Sequence, residues 1–385
     1  MNIDVLKNWF ATYSESSLRG RYIHYGHIAP LFDNLSEKVD VKHIGLSENN
    51  LPIHLLKIGS GPKKLLLWSQ MHGNESTTTK ALFDLINVLI DPHLKEALDI
   101  LKGSTLYIVP ILNPDGAKVY SRLNYNSVDL NRDAQHRTQS ESKILDTLIK
   151  DVRPDFAFNL HGQRTIFGTG VQNKSATVSF LSPAGDAERS ITTSRKMAME
   201  VIAHMNNVLQ LCIPNQVGRY DDGFNINCVG DTLTSKEIPT LLFEAGHYPN
   251  DYEREVTRKY IFYALVSAIH YISTTSVTGN QFQDYFTIPE NKKCLYDIII
   301  RDVILKNENV DIAVQYTEEL MENAIRFIPK IVKIGDLQNF YGHKEIEGKK
   351  RQIRHEIVTV EIVPEINLLK FYLDSELFSI ELAKR

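Results

Sequence analysis

Cysteine is scarce in this chain of 385 residues, and so are long apolar runs and any excess of basic residues. The 3 cysteines, Cys212, Cys228 and Cys294, are an odd and widely spaced set, which excludes a disulfide framework and C-x-x-C metal binding. A net charge of -4 and a pI near 6.4 give no reason to expect a nucleic-acid partner. No apolar run approaches the roughly 20 residues of a membrane-spanning helix, so we expect no membrane partner.

The N-terminal stretch also lacks the basic start and the unbroken apolar segment of a signal peptide. Its apolar residues recur at helical spacing, at Ile3, Leu6, Trp9, Phe10 and Tyr13. This spacing predicts a helix within an N-terminal helical segment, residues 1–40, that packs on the domain after it. The missing signal peptide and the few cysteines favour a cytoplasmic location.

Short apolar runs alternate with amphipathic segments as far as residue 272. The apolar runs are typical of strands buried on both faces and cover residues 63–70, 104–113, 154–162 and 238–246. The segments between them have helical spacing and cover residues 76–90, 140–151, 186–209 and 251–272. Strands that alternate with helices predict an α/β fold with a largely parallel sheet.

The character of the chain changes after residue 272. Residues 276–292 are polar and have no periodicity, which predicts a linker between a main domain at 41–275 and a second domain at 293–385. Most of the second domain reads as strands, including the segment 356–363, whereas the stretch 318–325 has the pattern of a helical turn. We therefore expect a small β-rich C-terminal domain with an accessory role.

Polar side chains follow three of the predicted strands at the point where each strand ends. His72 and Glu75 follow the first of these strands, His161 lies at the end of the second, and Glu244 at the end of the third. The carboxyl ends of strands form the ligand crevice of an open α/β sheet. We therefore expect these four side chains at one edge of the sheet.

These residue types suit a zinc-dependent hydrolase. Catalytic zinc takes three protein ligands and leaves one position for water, and two histidines with one glutamate are a known set. His72 and Glu75, three residues apart, can reach the same ion, and His161 would complete a site for one Zn²⁺ per chain. A further carboxylate is then needed to accept the proton of the attacking water. Glu244 is the candidate. An isolated H-x-x-E pair is more often a surface or capping feature. Here its combination with His161 and Glu244 at other strand ends favours the metal site.

A second group of polar residues lies between the two histidines. The sequence N-P-D-G at 113–116 is a strong turn signal. Arg132 could hold a substrate carboxylate through two parallel hydrogen bonds, and Asn131 could add a donor. Arg122 could stabilise the oxyanion that forms when water attacks a carbonyl. The alternative for each arginine is a solvated surface charge.

The motifs together resemble those of the zinc metallocarboxypeptidases of the carboxypeptidase A, B and D type. In family order they are H-G-N-E at 72–75, N-P-D-G at 113–116, S-R-x-N-x-x-x-x-D-L-N-R at 121–132, N-L-H-G at 159–162 and F-E at 243–244. The stretch 122–132 is similar to the carboxypeptidase D and N branch almost position for position. The resemblance covers roughly residues 40–275.

The resemblance implies a three-layer α/β/α sandwich around a mixed sheet, one zinc ion and removal of a C-terminal residue. Its substrate would be a peptide or peptide-like molecule with a free carboxylate. The residues that it assigns to the metal and the proton transfer are His72, Glu75 and His161 as zinc ligands and Glu244 as the general base. Those that it assigns to the substrate are Arg122 at the carbonyl and Asn131 with Arg132 at the terminal carboxylate.

Some positions depart from the family pattern. The family usually has a tyrosine, upstream of the general base, whose side chain closes over the substrate. Tyr220 is the candidate here, and the alternative is that it only packs. Val229 and Asp231 both lie where the base of the specificity pocket is expected. The sequence therefore does not determine which substrate side chain the pocket prefers. His24 and His27 have ligand spacing but lack a matching carboxylate.

Two other functions stay open on the sequence. Amidases and deacylases of similar sequence act on cell-wall peptides or acylated amino acids, and the shape of the pocket decides among these reactions. A binding protein on an inactive scaffold is the alternative of a different class, and it would bind a ligand without turnover. The sequence does not indicate an oligomeric state.

Overall fold

The computed structural model describes residues 1–35, 38–170 and 173–382. The chain divides into two compact units. The first contains Met1–Gln163 and Ala176–Asn291, and the second contains Arg164–Ser175 together with the residues after Asn291. The domain boundaries expected from the sequence remain predictions.

Helices and strands alternate through the first unit, and strands dominate the second. The helices are α1 Ile3–Tyr13, α2 Tyr25–Asn34, α3 Thr77–Leu89, α4 Lys95–Gly103, α5 Pro114–Val119, α6 Ser140–Val152, α7 Thr193–Gln210, α8 Val229–Ser235 and α9 Glu255–Thr274. The strands as far as residue 245 are β1 Val39–Leu46, β2 Pro52–Gly59, β3 Lys63–Ser69, β4 Ser104–Val109, β5 Phe156–Gly162, β6 Phe167–Gly168, β7 Val178–Leu181, β8 Val217–Arg219 and β9 Thr240–Ala245. The later strands are β10 Lys292–Lys293, β11 Leu295–Leu305, β12 Glu308–Met321, β13 Ala324–Gly335, β14 Tyr341–His355, β15 Lys370–Leu373 and β16 Glu376–Ser379.

The first unit is built on an eight-stranded sheet in the order β1-β2-β4-β3-β5-β9-β7-β8. The neighbouring pairs β4–β3, β3–β5, β5–β9 and β7–β8 are parallel, and the other three are antiparallel. The expected mixed α/β fold is therefore confirmed. Strands β3, β5 and β9, which carry the predicted site residues at their carboxyl ends, are adjacent and parallel.

Both faces of the central strands of this sheet are buried. Along β3, Leu65 and Leu67 belong to one apolar core, whereas Leu66 and Trp68 belong to a second core on the opposite face. The first core contains side chains of α3, α7 and α9, and the second contains side chains of α6 and α8. Successive side chains of a strand point to opposite faces, so an apolar run without alternation suits a strand covered on both sides.

The second unit contains a six-stranded sheet in the order β13-β12-β11-β14-β15-β16. Its core includes Ile298, Val314 and Phe371. A short pair of strands, β6 and β10, joins residues 167–168 to residues 292–293. This β-rich region agrees with the expected fold class.

Two local predictions for this region were wrong. Residues 318–325 form the end of a β-hairpin, not a helical turn, because Glu322 and Asn323 adopt left-handed φ angles of 51° and 63° between paired strands. Residues 356–363 are not a strand. His355 accepts a hydrogen bond from the backbone of Ile357, and the following turn leaves Ile357 and Val358 55% and 87% exposed.

Element ends in the first unit also differ from the pattern. The helix expected at 186–209 starts only at Thr193, because the Thr192 side chain caps it and the preceding residues form a loop. Within the predicted linker, a 3-10 helix at Phe282–Thr287 buries Tyr285. In the described parts of the chain, no helix combines the length and apolar character needed to cross a membrane.

Candidate metal centre and substrate-binding residues

The loop between β3 and α3 that carries His72 and Glu75 is held by hydrogen bonds from several elements. Gln70 adopts a φ of 44° and donates from its side chain to the carbonyls of Ile23 and Gly73. Asn113, at the start of α5, donates to the carbonyl of Met71. A Cβ at Gly73 would lie 2.0 Å from the backbone of α5, so only glycine allows this approach. The N-P-D-G turn signal is thus a helix start that supports the loop.

The predicted metal ligands converge at the carboxyl ends of β3 and β5. Nδ1 of His72 lies 2.9 Å from one carboxylate oxygen of Glu75, and Nδ1 of His161 lies 3.0 Å from the other. The two Nδ1 atoms are 3.2 Å apart. The backbone N–H of Gly162 also donates to Glu75 at 3.0 Å. The structure therefore brings all three predicted ligands together at a candidate metal site.

The spacing of these donor atoms fits a single small cation. Two imidazole nitrogens bound tetrahedrally to zinc at about 2.0–2.1 Å would lie about 3.3 Å apart. Nε2 of His72 makes a separate hydrogen bond to Asp129 at 3.1 Å. A carboxylate that orients a histidine in this way sets its tautomer and leaves the other nitrogen free for a metal.

Asp129 also orients Arg122. One oxygen of Asp129 receives the His72 bond, and the other accepts hydrogen bonds from Nε and Nη2 of Arg122 at 3.1 and 2.9 Å. The remaining Nη1 lies 3.2 Å from Nδ1 of His72 and 3.5 Å from Glu75. Arg122 is 45% exposed on its side chain, so it can also meet a ligand at this edge.

The electrostatics of the group favour a bound positive charge. Burial lowers the pKa of His72, but the carboxylates of Glu75 and Asp129 outweigh burial and raise this pKa to about 9. Burial opposes ionisation of Glu75, yet His72 and His161 hold its pKa well below the usual range. The pKa of His161 is lowered, chiefly by burial. A field that attracts a proton onto a buried imidazole would also favour a cation at the same place.

Glu244 lies beside His161 on the next strand. The two residues are partners in the register of β5 and β9 and share a face of the sheet. Burial and the charge of Glu75 raise the pKa of Glu244 well above its usual value. Its Oε2 is buried and has no hydrogen-bond partner among the residues that the structure describes. A carboxyl group with these properties can accept and return a proton.

Asn131 and Arg132 lie in a 3-10 turn next to α8. Oδ1 of Asn131 accepts a hydrogen bond from the backbone of Val229 at 3.0 Å, which leaves the amide Nδ2 as a donor. Arg132 is exposed and donates from Nη1 to the carbonyl of Asn131 and to Sγ of Cys228 at 2.8 and 3.2 Å. No carboxylate within the described ranges forms an ion pair with Arg132 at hydrogen-bond distance. Its guanidinium is suited to an external carboxylate.

Tyr220 lies at the end of β8, two positions from β9 in the sheet. Its backbone N–H donates to the carbonyl of Phe180. The next residues are tied to α7, since Asp222 pairs with the buried guanidinium of Arg195 at 2.5 Å. The role of Tyr220 stays a prediction.

The two candidates for the pocket base differ in environment. Val229 is buried in the second apolar core. The side chain of Asp231 accepts a hydrogen bond from the backbone of Asn225, and burial raises its pKa to about 6. His24 and His27 form the N-terminal capping box of α2, in which each Nδ1 accepts a backbone N–H.

Sequence reasoning missed the positions of Asp129 and Asn113. Both lie within the motifs quoted above, but a linear motif does not reveal which side chain bonds to which. It also missed Arg254, a buried side chain that donates to the carbonyls of Ala245 and Gln163, just beyond β9 and β5. No sequence signal pointed to that residue.

Comparison with known proteins shows similarity to zinc carboxypeptidases. Residues 28–201 match the zinc carboxypeptidase family model. Carboxypeptidase SOL1 of Arabidopsis thaliana is 31% identical over 137 residues, which cover 31% of this chain and 28% of that protein. Carboxypeptidase E of Caenorhabditis elegans is 24% identical over 149 residues, 32% of either chain. The match therefore spans about a third of the length of these relatives.

Solved structures agree at the level of the fold. The metallo-carboxypeptidase from Burkholderia cenocepacia superposes with a TM-score of 0.52 at 19% identity, over 64% of this chain and 68% of that one. Carboxypeptidase A from Helicoverpa armigera superposes with a TM-score of 0.52 at 16% identity, over 71% and 80%.

The fold and the donor set define an α/β protein with a candidate metal centre at the carboxyl edge of its mixed sheet. Residues 28–201 match the model of the zinc carboxypeptidase family. The resemblance expected from the sequence motifs is thereby confirmed.

Proposed function

We propose that this protein is a zinc-dependent carboxypeptidase that removes the C-terminal residue of peptides with a free carboxylate. The observation that carries the proposal is the convergence of His72, Glu75 and His161 on one point, with Glu244 beside them on the next strand. The match of residues 28–201 to the zinc carboxypeptidase family model supports the same reaction.

The three converging side chains would hold one Zn²⁺. When bound, the ion would polarise the scissile carbonyl and lower the pKa of a water molecule to about 7. Asp129 would keep His72 in the tautomer that offers Nδ1, through the bond to Nε2.

Glu244 would act as the general base and then as the general acid. It would take a proton from the attacking water and pass it to the leaving amine as the amide bond breaks. Arg122, held by Asp129, would donate to the carbonyl oxygen as negative charge develops there.

Asn131 and Arg132 would bind the terminal carboxylate of the substrate. The exposed guanidinium of Arg132 and the free amide donor of Asn131 support this assignment. Binding at this position would restrict cleavage to the last peptide bond. Tyr220 remains the candidate for a side chain that closes over the substrate.

A mass-spectrometric time course on a peptide pool tests the proposal. Each peptide is supplied with a free and with an amidated C-terminus, and Glu244→Gln and chelator-treated protein serve as controls. We expect stepwise loss of single residues from free C-termini only, and a loss of rate of about 10²–10⁴-fold in the Glu244→Gln variant.

Equal trimming of amidated peptides would contradict the binding of a terminal carboxylate. No trimming by zinc-loaded protein would contradict the carboxypeptidase reaction and favour an amidase or deacylase acting on cell-wall peptides or acylated amino acids. Ligand binding without any turnover would favour the inactive scaffold. The cytoplasmic location stays a prediction that cell fractionation can test.

A further inference from the structure

A buried polar side chain lies directly below the candidate metal centre. Asn159 precedes His161 by two residues on β5, so the two side chains share a face of the sheet. Asn159 is fully buried, and neither its amide oxygen nor its amide nitrogen has a hydrogen-bond partner in the described part of the chain. Buried polar groups are nearly always paired, so this group requires an explanation.

The neighbours of Asn159 across the sheet are Trp68 on β3 and Leu242 on β9. Paired residues of adjacent parallel strands point to the same side, so the three side chains form a row on one face. Trp68 is fully buried, and its indole N–H also lacks a partner among the described residues. Leu242 is only partly buried, as is Glu244 two residues later.

If the proposed function holds, the C-terminal side chain of a substrate would lie near this row. Oδ1 of Asn131 is bonded to the backbone of Val229, and Val229 packs in the same apolar core as Trp68. A C-terminal residue with its carboxylate at Asn131 and its amide bond at the metal would turn its side chain toward this core. The row would then form the floor of the pocket for that side chain.

We propose that Asn159, with the indole N–H of Trp68, selects substrates whose C-terminal residue carries a carboxamide side chain, glutamine or asparagine. This inference rests on the proposed carboxypeptidase function.

The two unpaired groups supply two kinds of donor and one acceptor. A carboxamide oxygen can accept from Trp68 and from the amide of Asn159, and its NH₂ group can donate to the amide oxygen of Asn159. A carboxylate has no proton for that oxygen, and an ammonium group has no acceptor for the two donors. An apolar side chain would leave all of these groups unpaired.

Asp231 is the competing determinant, and it would favour a basic C-terminal residue. Its carboxylate already accepts a hydrogen bond from the backbone of Asn225, whereas the amide of Asn159 has no such bond within the described residues. The unsatisfied group is therefore the stronger indication of a missing ligand.

The test compares kcat/KM for acyl-dipeptides that end in glutamine, methionine, glutamate or lysine. Methionine and glutamate match glutamine in size, so they isolate the hydrogen-bonding pattern. For the wild-type protein we expect glutamine to exceed methionine by about tenfold or more. Asn159→Leu, which keeps the branching at Cγ but removes the polar atoms, should lower this ratio by about tenfold, and the smaller Asn159→Ser provides a second variant. Ser267→Ala removes a buried, unpaired hydroxyl of α9 and should keep the ratio.

An unchanged glutamine-to-methionine ratio in both Asn159 variants would overturn the proposal. It would favour an internal water molecule as the hydrogen-bond partner of the Asn159 amide. A preference for lysine would overturn it in favour of Asp231. Calorimetric binding of free glutamine and methionine to the zinc-loaded chain separates this inference from the proposed function. If no peptide is hydrolysed, tighter binding of glutamine that is lost in Asn159→Leu would still support it, and equal or absent binding would reject it.

Discussion

Asp129 holds His72 and Arg122 at the same time, with one carboxylate oxygen 3.1 Å from Nε2 of His72 and the other 2.9 Å from Nη2 of Arg122. His72 and Arg122 hold the pKa of Asp129 well below its usual range, in spite of its burial. One carboxylate therefore links a predicted metal ligand to the side chain predicted to stabilise the oxyanion.

We predict that Asp129→Asn weakens zinc binding by about 10–100-fold, because the amide no longer provides the charged acceptor that orients His72. The affinity is measured by competition with a chelator of known strength. Asp133→Asn is the matched control, since Asp133 bonds to Thr138 and Gln139 and not to His72. Equal zinc affinity in Asp129→Asn and the wild type would refute the positioning role.

Replacement of Arg122 by lysine is expected to lower kcat by about 10²–10³-fold, the usual cost of removing a donor to the oxyanion. Lysine keeps the charge but cannot donate to Asp129 through two nitrogens as Arg122 does. Steady-state kinetics on a peptide with a free C-terminus measure the effect. A variant whose kcat stays within twofold of the wild type would show that Arg122 does not act on the carbonyl.

Arg132→Ala should remove the preference for a free C-terminus over an amidated one. The lost charge-assisted hydrogen bonds are worth about 1.5–3 kcal/mol, or roughly 10–100-fold in kcat/KM for the free peptide. Arg137→Ala serves as control, because Arg137 pairs with Asp146 on the surface of the same segment. If the preference survives in Arg132→Ala, another group binds the carboxylate.

The buried pair of Asp84 and Arg258 is expected to contribute strongly to stability. Arg258 donates to both oxygens of Asp84 at 2.6 and 2.7 Å, and Asp84 is fully buried. Asp84→Asn should lower the free energy of unfolding by about 3–5 kcal/mol, because the buried guanidinium loses its fully buried carboxylate partner and keeps only the partly exposed Glu255. Urea unfolding followed by tryptophan fluorescence reports the change, since both tryptophans, Trp9 and Trp68, lie in the first unit.

The exposed pair of Asp4 and Lys7 supplies the control for that experiment. Asp4→Asn should cost less than about 1 kcal/mol. Similar losses of unfolding free energy in Asp84→Asn and Asp4→Asn would show that burial does not increase the contribution of an ion pair to stability.

Lys80 is expected to make stability depend on alkaline pH. Burial lowers the pKa of Lys80 to about 8 from 10.5, with Arg258 and Arg21 adding to the effect and Glu255 opposing it. Between pH 8 and 10.5 the unfolded chain binds more protons than the folded chain at this residue, so its contribution to stability rises with pH. Relative to Lys80→Met, the wild type should gain about 3 kcal/mol across this window.

Urea unfolding of both proteins at pH 7.5 and pH 10 measures this difference. Lys7→Met, at an exposed site, provides the control substitution. A difference between wild type and Lys80→Met that stays constant over the window would contradict the lowered pKa.

The predictable part of the site follows from strand order. A residue that directly follows a buried strand has a known position at the sheet edge, so the positions of His72, His161 and Glu244 are predictable from the sequence. Asn159 could not be evaluated in the same way. It lies in an apolar run, and only the pairing with Trp68 and Leu242 reveals that its amide has no partner within the described residues.

The errors have a related cause. The apolar segment at 356–363 has the local pattern of a strand, but a strand also needs a neighbouring strand to pair with. The hydrogen bond from the backbone of Ile357 to His355 lies where β14 ends, and the rest of the segment pairs with no described strand. The stretch 318–325 has residues typical of a helix, yet the pairing of Met321 with Ala324 outweighs their local preference. Propensity is a weak guide wherever tertiary pairing supplies most of the hydrogen bonds.

The sequence by itself determined the α/β class, the resemblance to the zinc carboxypeptidases and the set of side chains that converge on the candidate metal site, because motif spacing and strand ends are local properties. The tertiary structure decided how those side chains bond to one another, as in the link from His72 through Asp129 to Arg122. It also decided which buried polar groups lack a partner, as Asn159 does among the described residues. Both depend on distances between residues far apart in the chain, and the folded packing sets those distances.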